Sequence, residues 1–226
     1  MSQRNIIRGE IYITDNSVNQ DVCIINSHEN FMKEFGSEKL INDVDPHNNE
    51  KEIKESVEIK IDDKPINFTY TYKFETKGMH TIEYSFKKNL TKICNLFAGC
   101  NLGKLDLSNF NTENVTDMRE MFMTCVYLQS LNLSNINTQN VTDMYGMFNG
   151  CISLKNLNLS NFKTQNVTDM SELFNFCKSL TNLDLSNFET QNTTIMDNMF
   201  DRCKSLEKDK IITENDIILN VFKHHN

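Results

Sequence analysis

The chain has 226 residues and a formal net charge of −8, with acidic and basic residues interspersed rather than blocked. That length suits one large domain or two small ones, and an acidic chain without a basic stripe excludes nucleic acid as the main partner and disfavours an anionic membrane surface. No run approaches the ~20 apolar residues of a spanning helix, so no membrane insertion is expected. The N-terminus carries neither a signal-length apolar run nor a lipidation signal, which makes the cytoplasm the expected location.

Residues 1–86 carry no repeat and read as a small β-rich N-terminal cap domain. EIYIT (10–14) and DVCIIN (21–26) read as strands. From Ser27 to Ser56 the first half reads as a short helix and the second as a polar, mobile segment. Strand alternation resumes at Val57, Ile59 and Ile61, then at Ile66, Phe68, Tyr70, Tyr72 and Phe74. Past ETKG (75–78) it continues through Ile82, Tyr84 and Phe86, and the two aromatic runs read as a β-hairpin across that turn.

From residue 87 to 210 one phrase recurs with a period of 26. It reads LDLSNFNTENVTDMREMFMTC at 105–125, LNLSNINTQNVTDMYGMFNGC at 131–151, LNLSNFKTQNVTDMSELFNFC at 157–177 and LDLSNFETQNTTIMDNMFDRC at 183–203. A degenerate earlier unit, LTKICNLFAGCNLGKL, covers 90–105. Self-similarity at a fixed period marks a stacked repeat architecture. Within each unit the L-x-L core, such as Leu131 and Leu133, reads as a short strand. Met144, Met147, Phe148 and Cys151 fall at i, i+3, i+4 and i+7, one face of a short helical turn, with Thr142 as its N-cap and Asp143 in its first turn. The expected fold is an α/β repeat solenoid: a leucine-rich-repeat-like right-handed coil of short parallel strands and short helical turns, behind the β-rich cap. Residues 211–226 read as a C-terminal capping helix and tail. Thr213 with Asp216 three residues on resembles a capping box, and Ile217, Ile218, Val221 and Phe222 supply an apolar face.

The residues that suggest chemistry have plainer readings. Seven cysteines (Cys23, Cys94, Cys100, Cys125, Cys151, Cys177, Cys203) include no C-x-x-C pair, and five share one repeat position. They read as buried free thiols rather than a disulfide framework or a zinc site. Asn109, Asn135, Asn161 and Asn187, with Asn114, Asn140, Asn166 and Asn192, read as corner residues that bond neighbouring backbone. Asp117, Asp143 and Asp169, a column broken by Ile195, read as helix-start acids. Calcium is the lesser alternative, because its multi-oxygen cage is not spelled out in the loop. His80, His224 and His225 are scattered, and no hydrolase, zinc-protease, phosphate-loop or dinucleotide motif occurs. No catalytic, cofactor-binding or metal residue is nominated, no cofactor is expected, and the chain does not read as an enzyme.

The functional expectation is a non-enzymatic protein–protein interaction or scaffolding protein, either a monomer or a component of a larger complex. The strand face would present Asp106, Asn132, Asn158 and Asp184, and the positions the phrase leaves free, Arg119 and Tyr145 among them, would vary from unit to unit. Residues 105–208 hold 7 Lys/Arg against 12 Asp/Glu, a balance of −5 that favours a basic protein or peptide partner. The phrase L-x-x-L-x-L-S-N-F-x-T-x-N-V-T-D-M-x-x-M-F-x-x-C, over roughly residues 90–207, resembles the BspA-like leucine-rich-repeat surface proteins, whose repeat is abundant in mycoplasmas, other bacteria and many protists. The resemblance implies surface exposure, adhesion and binding of host or matrix proteins, with no catalytic residues. A cell-surface adhesin or antigen is thus the alternative function and the cell surface the alternative location. A structural subunit of a larger assembly is a further alternative.

Overall fold

The sheet is organised around β1 (Ile6–Ile13), whose Ile7, Ile11 and Ile13 are buried on one face while Arg8 and Tyr12 face out. The computed structural model describes residues 5–35 and 46–225. In chain order there follow β2 (Asp21–Cys23), α1 (His28–Phe35), α2 (Glu50–Ser56), β3 (Val57–Ile61), β4 (Lys64–Ile66), β5 (Thr71–Lys73) and β6 (Gly78–Phe86). The repeats contribute β7 (Lys104–Asn109), β8 (Ser130–Asn132), β9 (Asn156–Asn158) and β10 (Asn182–Asp184), and the chain closes with β11 (Ile211–Ile212) and α3 (Asp216–His225). β1 pairs antiparallel with β6 on one side and with β7 on the other. At Gly9 the core is packed closely against the strand, since a Cβ there would lie 3.1 Å from Leu102 Cδ2. The result is a mixed six-stranded sheet in the order β4-β3-β6-β1-β7-β8, beside a three-stranded parallel sheet β11-β10-β9 and a two-stranded sheet β2-β5.

This overturns the expected α/β leucine-rich-repeat-like solenoid. The described residues are mainly β, with three short α-helices, none of them inside the repeats. The repeat strands do not form one parallel sheet either: β7 and β8 extend the mixed sheet, whereas β9 and β10 belong to the separate one. The segment read as a helical turn is a run of tight turns. Met147, Asn149 and Cys151 donate to carbonyls three residues back, while Met144, Gly146, Phe148 and Gly150 donate to Asp169, Ser171, Leu173 and Asn175 one repeat on. That alternation needs left-handed backbone twice per unit, at Gly146 (φ 56°) and Gly150 (φ 76°), and at Glu120, Thr124, Glu172, Phe176, Asn198 and Arg202 in the others. An α-helix admits neither feature.

The period of 26 does specify register. Leu105 lies opposite Leu131, Leu157 opposite Leu183, and Asp117, Asp143, Asp169 and Ile195 are bridged in succession. Of the apolar columns in the phrase, only Leu131 and Met196 are less than fully buried. Phe97, Phe122, Phe148, Phe174 and Phe200 stack face to face with centroids 5.6–6.1 Å apart. Tyr84 closes one end of the stack edge-on at 5.4 Å, and Phe222 of α3 closes the other, also at 5.4 Å. The corner asparagines donate to carbonyls one repeat earlier, Asn135 Nδ2 to Ser108 O and Asn140 Nδ2 to Glu113 O, both at 2.8 Å.

Two further readings are corrected. The aromatic runs do not pair with each other, because β5 pairs with β2 while β6 lies between β1 and β3. The hairpin is instead β3–β4, turning at Asp62 and Asp63, both with positive φ, as a two-residue hairpin turn requires. Part of the stretch expected to be polar and mobile is helical (α2), and residues 36–45, which straddle the two halves, lie outside the described residues. At α3 the cap is Asn215, whose Oδ1 accepts from the N–H groups of Ile217 and Ile218, rather than Thr213.

Candidate functional site

Along the repeat strands runs a groove built from clefts that share Gln129. The first, about 590 Å³, is lined by Tyr12, Thr14, Asn101 and Tyr127. The second, about 550 Å³, lies over β8–β10 between Leu131, Asn158 and Asp184 and ends at Lys210 and Ile212. A third, about 420 Å³, adds Ser153, Lys155 and Ser179. Tyr12, Tyr127 and Ile212 are 63%, 56% and 59% exposed, so large apolar side chains stand free at both ends of the groove. Of the lysines beside it, Lys104 is paired with Glu10 at 2.8 Å and Lys210 with Asp209 at 3.1 Å.

Of the residues expected to bind a partner, Asn158 and Asp184 line the second cleft, whereas Asp106 lines a separate cleft with Arg8, Glu10 and Lys104; these three and Asn132 each also have a local role. Asp106 Oδ1 accepts from Ser108 N at 2.9 Å and from Asn132 Nδ2 at 2.9 Å. Asn132, Asn158 and Asp184 likewise accept from the N–H two residues on, in Ser134, Ser160 and Ser186. These are Asx turns that end each strand. Burial raises the Asp106 pKa, but the Ser108 bonds, Arg8 and Asn132 outweigh it and hold the carboxyl below its usual value. Tyr12, Tyr127, Gln129 and Ile212 were not singled out from the sequence. The signal for Tyr127 was there: the other full repeats have Ser153, Ser179 and Ser205 at its position.

The other two expected residues lie elsewhere and meet. The Arg119 guanidinium sits over the Tyr145 ring, 5.0 Å from its centroid. Its Nη1 is 2.8 Å from His47 Nε2 and 3.9 Å from Asp143 Oδ2, and His47 Nδ1 is 2.6 Å from Asp117 Oδ2. Arginine only donates, so His47 Nε2 accepts and its Nδ1–H points at Asp117. Burial, together with Asp117 and Asp169, raises the Asp143 pKa against the lowering by the Tyr145 N–H and Arg119. Ligand atoms of His47, Asp117 and Asp143 lie within 4.8 Å of one another, a spacing that suits a metal ion. The positive charge among them is Arg119, which any bound cation would have to displace. The Asp column also accepts backbone bonds two residues on, from Arg119, Tyr145 and Ser171, rather than starting helices.

The cysteine column is packing. Cys125, Cys151, Cys177 and Cys203 donate to the carbonyls of Phe97, Phe122, Phe148 and Phe174 at 3.0–3.2 Å. Burial pushes the Cys151 and Cys177 thiols well above their usual range and Cys203 up to about 12. Cys94 donates to the His47 carbonyl rather than to its ring, and burial raises its pKa too.

Among the described residues no helix is long and apolar enough to cross a membrane. Neither the curated proteins nor the solved structures contain a significant match to the chain. A family model matches residues 91–214, which spans the repeats and more than half of the chain. By that match the chain belongs to the family described as Mycoplasma protein of unknown function, DUF285.

Proposed function

We propose that this protein is a non-enzymatic interaction module whose strand-face groove takes an extended, basic segment of a partner protein. The observation that carries the reading is the groove itself: clefts joined through Gln129, with exposed Tyr12 and Tyr127 at one end and Ile212 at the other. Exposed aromatic anchors beside a polar trough suit peptide recognition. Asp184 lines the second cleft, where Lys210 is paired with Asp209, Lys155 lines the third, and residues 105–208 carry 12 Asp/Glu against 7 Lys/Arg, a balance that favours positive charge in the partner. The non-enzymatic part is supported at Cys94, where the thiol nearest the His47–Asp117 pair is buried and bonded to a carbonyl.

Random-peptide display on the intact protein, followed by fluorescence anisotropy of the selected peptides, tests the proposal. The expected result is enrichment of basic peptides with an apolar anchor, weakened roughly tenfold by Tyr127→Ala and less by Asp184→Asn. Asparagine is the informative substitution, because it removes charge yet keeps the Asx acceptor, as Asn132 and Asn158 already do. Acidic selections, or binding indifferent to Tyr127, would reject the groove.

A second reading is an adhesin of the BspA-like surface-protein type. It is favoured by the repeated LSNFxTxNVTDM phrase and would place the same groove outside the cell. Antibody labelling of intact cells separates the two locations.

A further inference from the structure

Six of the seven thiols have a carbonyl within about 3.5 Å, and Cys100 does not. The four later column members donate to a Phe carbonyl one repeat earlier, and Cys94 donates to His47 O at 3.0 Å. Cys100 heads the column, and its nearest carbonyl, Ala98 O, is 3.9 Å away. What stands against it is a second thiol: Cys23 Sγ of β2 lies 3.1 Å from Cys100 Sγ. The two backbones are adjacent as well, since Asn101 N donates to Cys23 O at 3.2 Å. Cys23 is part-exposed, whereas Cys100 is buried.

We infer that Cys23 and Cys100 are a thiol-modification site that closes to a disulfide, with a small disulfide such as oxidised glutathione as oxidant. The Cys23 thiol loses its proton and attacks one glutathione sulfur, and the glutathione S–S bond breaks with one glutathione leaving as thiolate. Cys100 then loses its proton, attacks Cys23 Sγ and expels the second glutathione. Two protein thiols lose two electrons and two protons in all, and one glutathione disulfide becomes two glutathiones. Exposure gives Cys23 first contact with the oxidant. Burial, which pushes the Cys100 thiol well above its usual range, keeps Cys100 as the slower, resolving partner. The bond would tie β2 to the first repeat across 77 residues of chain. A cross-link of that span narrows the unfolded ensemble far more than a local one.

The test is incubation of the folded full chain with oxidised glutathione, then intact mass and peptide mapping under non-reducing conditions. The expected product has lost about two hydrogen masses, shows a single Cys23–Cys100 linkage, and keeps five of its seven thiols. It melts roughly 10 °C higher than the reduced protein. Cys23→Ser and Cys100→Ser each abolish the linkage. A lasting glutathione adduct on Cys23 without closure, a linkage between other cysteines, or seven unchanged thiols at equilibrium would overturn the inference.

Discussion

His80 shows how far a single residue could be read in advance. In the sequence it is an isolated histidine with no visible partner. In the fold its Nδ1 is 2.6 Å from Asp62 Oδ2 and its Nε2 is 2.9 Å from Thr76 O. Both partners accept, so both ring nitrogens carry protons and the imidazole is a cation. Burial opposes that charge, but the bonds to Asp62 and Thr76 outweigh it and hold the His80 pKa above its usual 6.5. Burial likewise works against ionised Asp62, and the Thr81 and His80 bonds outweigh it to bring Asp62 below 3.8. A raised histidine stabilises fully below its unfolded pKa and loses that contribution as pH rises through the folded value. A lowered aspartate contributes above its unfolded pKa and loses it as pH falls through the folded one. The pair is therefore strongest between those two usual values. His80→Ala should cost more stability near pH 5.5 than near pH 8.5, by up to about 1 kcal/mol given the solvent screening of half-exposed Asp62. Urea melts of both proteins at the two pH values check this, and equal losses would mean a neutral ring. The partner was illegible because Asp62 sits 18 residues away, brought close only by the pairing of β3 with β6.

At the scale of the element, apolar periodicity located the buried side chains correctly and misjudged the backbone that carries them. Met144, Met147, Phe148 and Cys151 all face the core, as i, i+3, i+4 and i+7 spacing requires. Successive tight turns with left-handed residues four apart place side chains on one line at the same intervals, so spacing alone does not separate them from a helix. The distinguishing cue was the pair Gly146 and Gly150, with Asn95 and Gly99 in the degenerate unit, at the positions that need positive φ. It faded elsewhere because Glu120, Thr124, Glu172 and Phe176 occupy the same positions. Thr124 is the most strained of these, a β-branched residue at φ 56°. Thr124→Gly should stabilise the protein by about 0.5–1 kcal/mol, the left-handed penalty less the extra chain entropy of glycine. Chemical melts measure it, and a loss of stability would show that the Thr124 side-chain contacts matter more than its strain. Turn chemistry was likewise missed at Asp62–Asp63, where two aspartates supply the positive-φ hairpin usually signalled by glycine.

For the whole molecule, the period of 26 was legible because every unit repeats the same inward residues, and those positions are the core. The sheet was not, because it depends on pairings that leave no local trace. β1 lies between β6 and β7, some 70 and 100 residues away in the chain, so the N-terminal strands and the first repeats share one sheet. The groove was half legible: its polar floor lies on the expected strand face, while its apolar ends come from Tyr12 in β1 and Ile212 in β11, outside the repeats. The phenylalanine stack has a bearing on how such chains can change length. Its five rings end against Tyr84 and Phe222, which stand edge-on and offer no flat face for a further ring. Growth by extension at either end is thus blocked, and growth by interior duplication is open. Inserting a second copy of residues 131–156 should give a folded protein with one cooperative melt. The same insertion with one residue more or fewer should throw every downstream column out of phase and abolish that transition. Scanning calorimetry of the two insertions reads the difference, and equal melts would show that the columns do not set the phase. With the columns setting the phase, chain length is quantised: relatives of this chain would differ by whole multiples of one unit, like beads added only inside a clasped string.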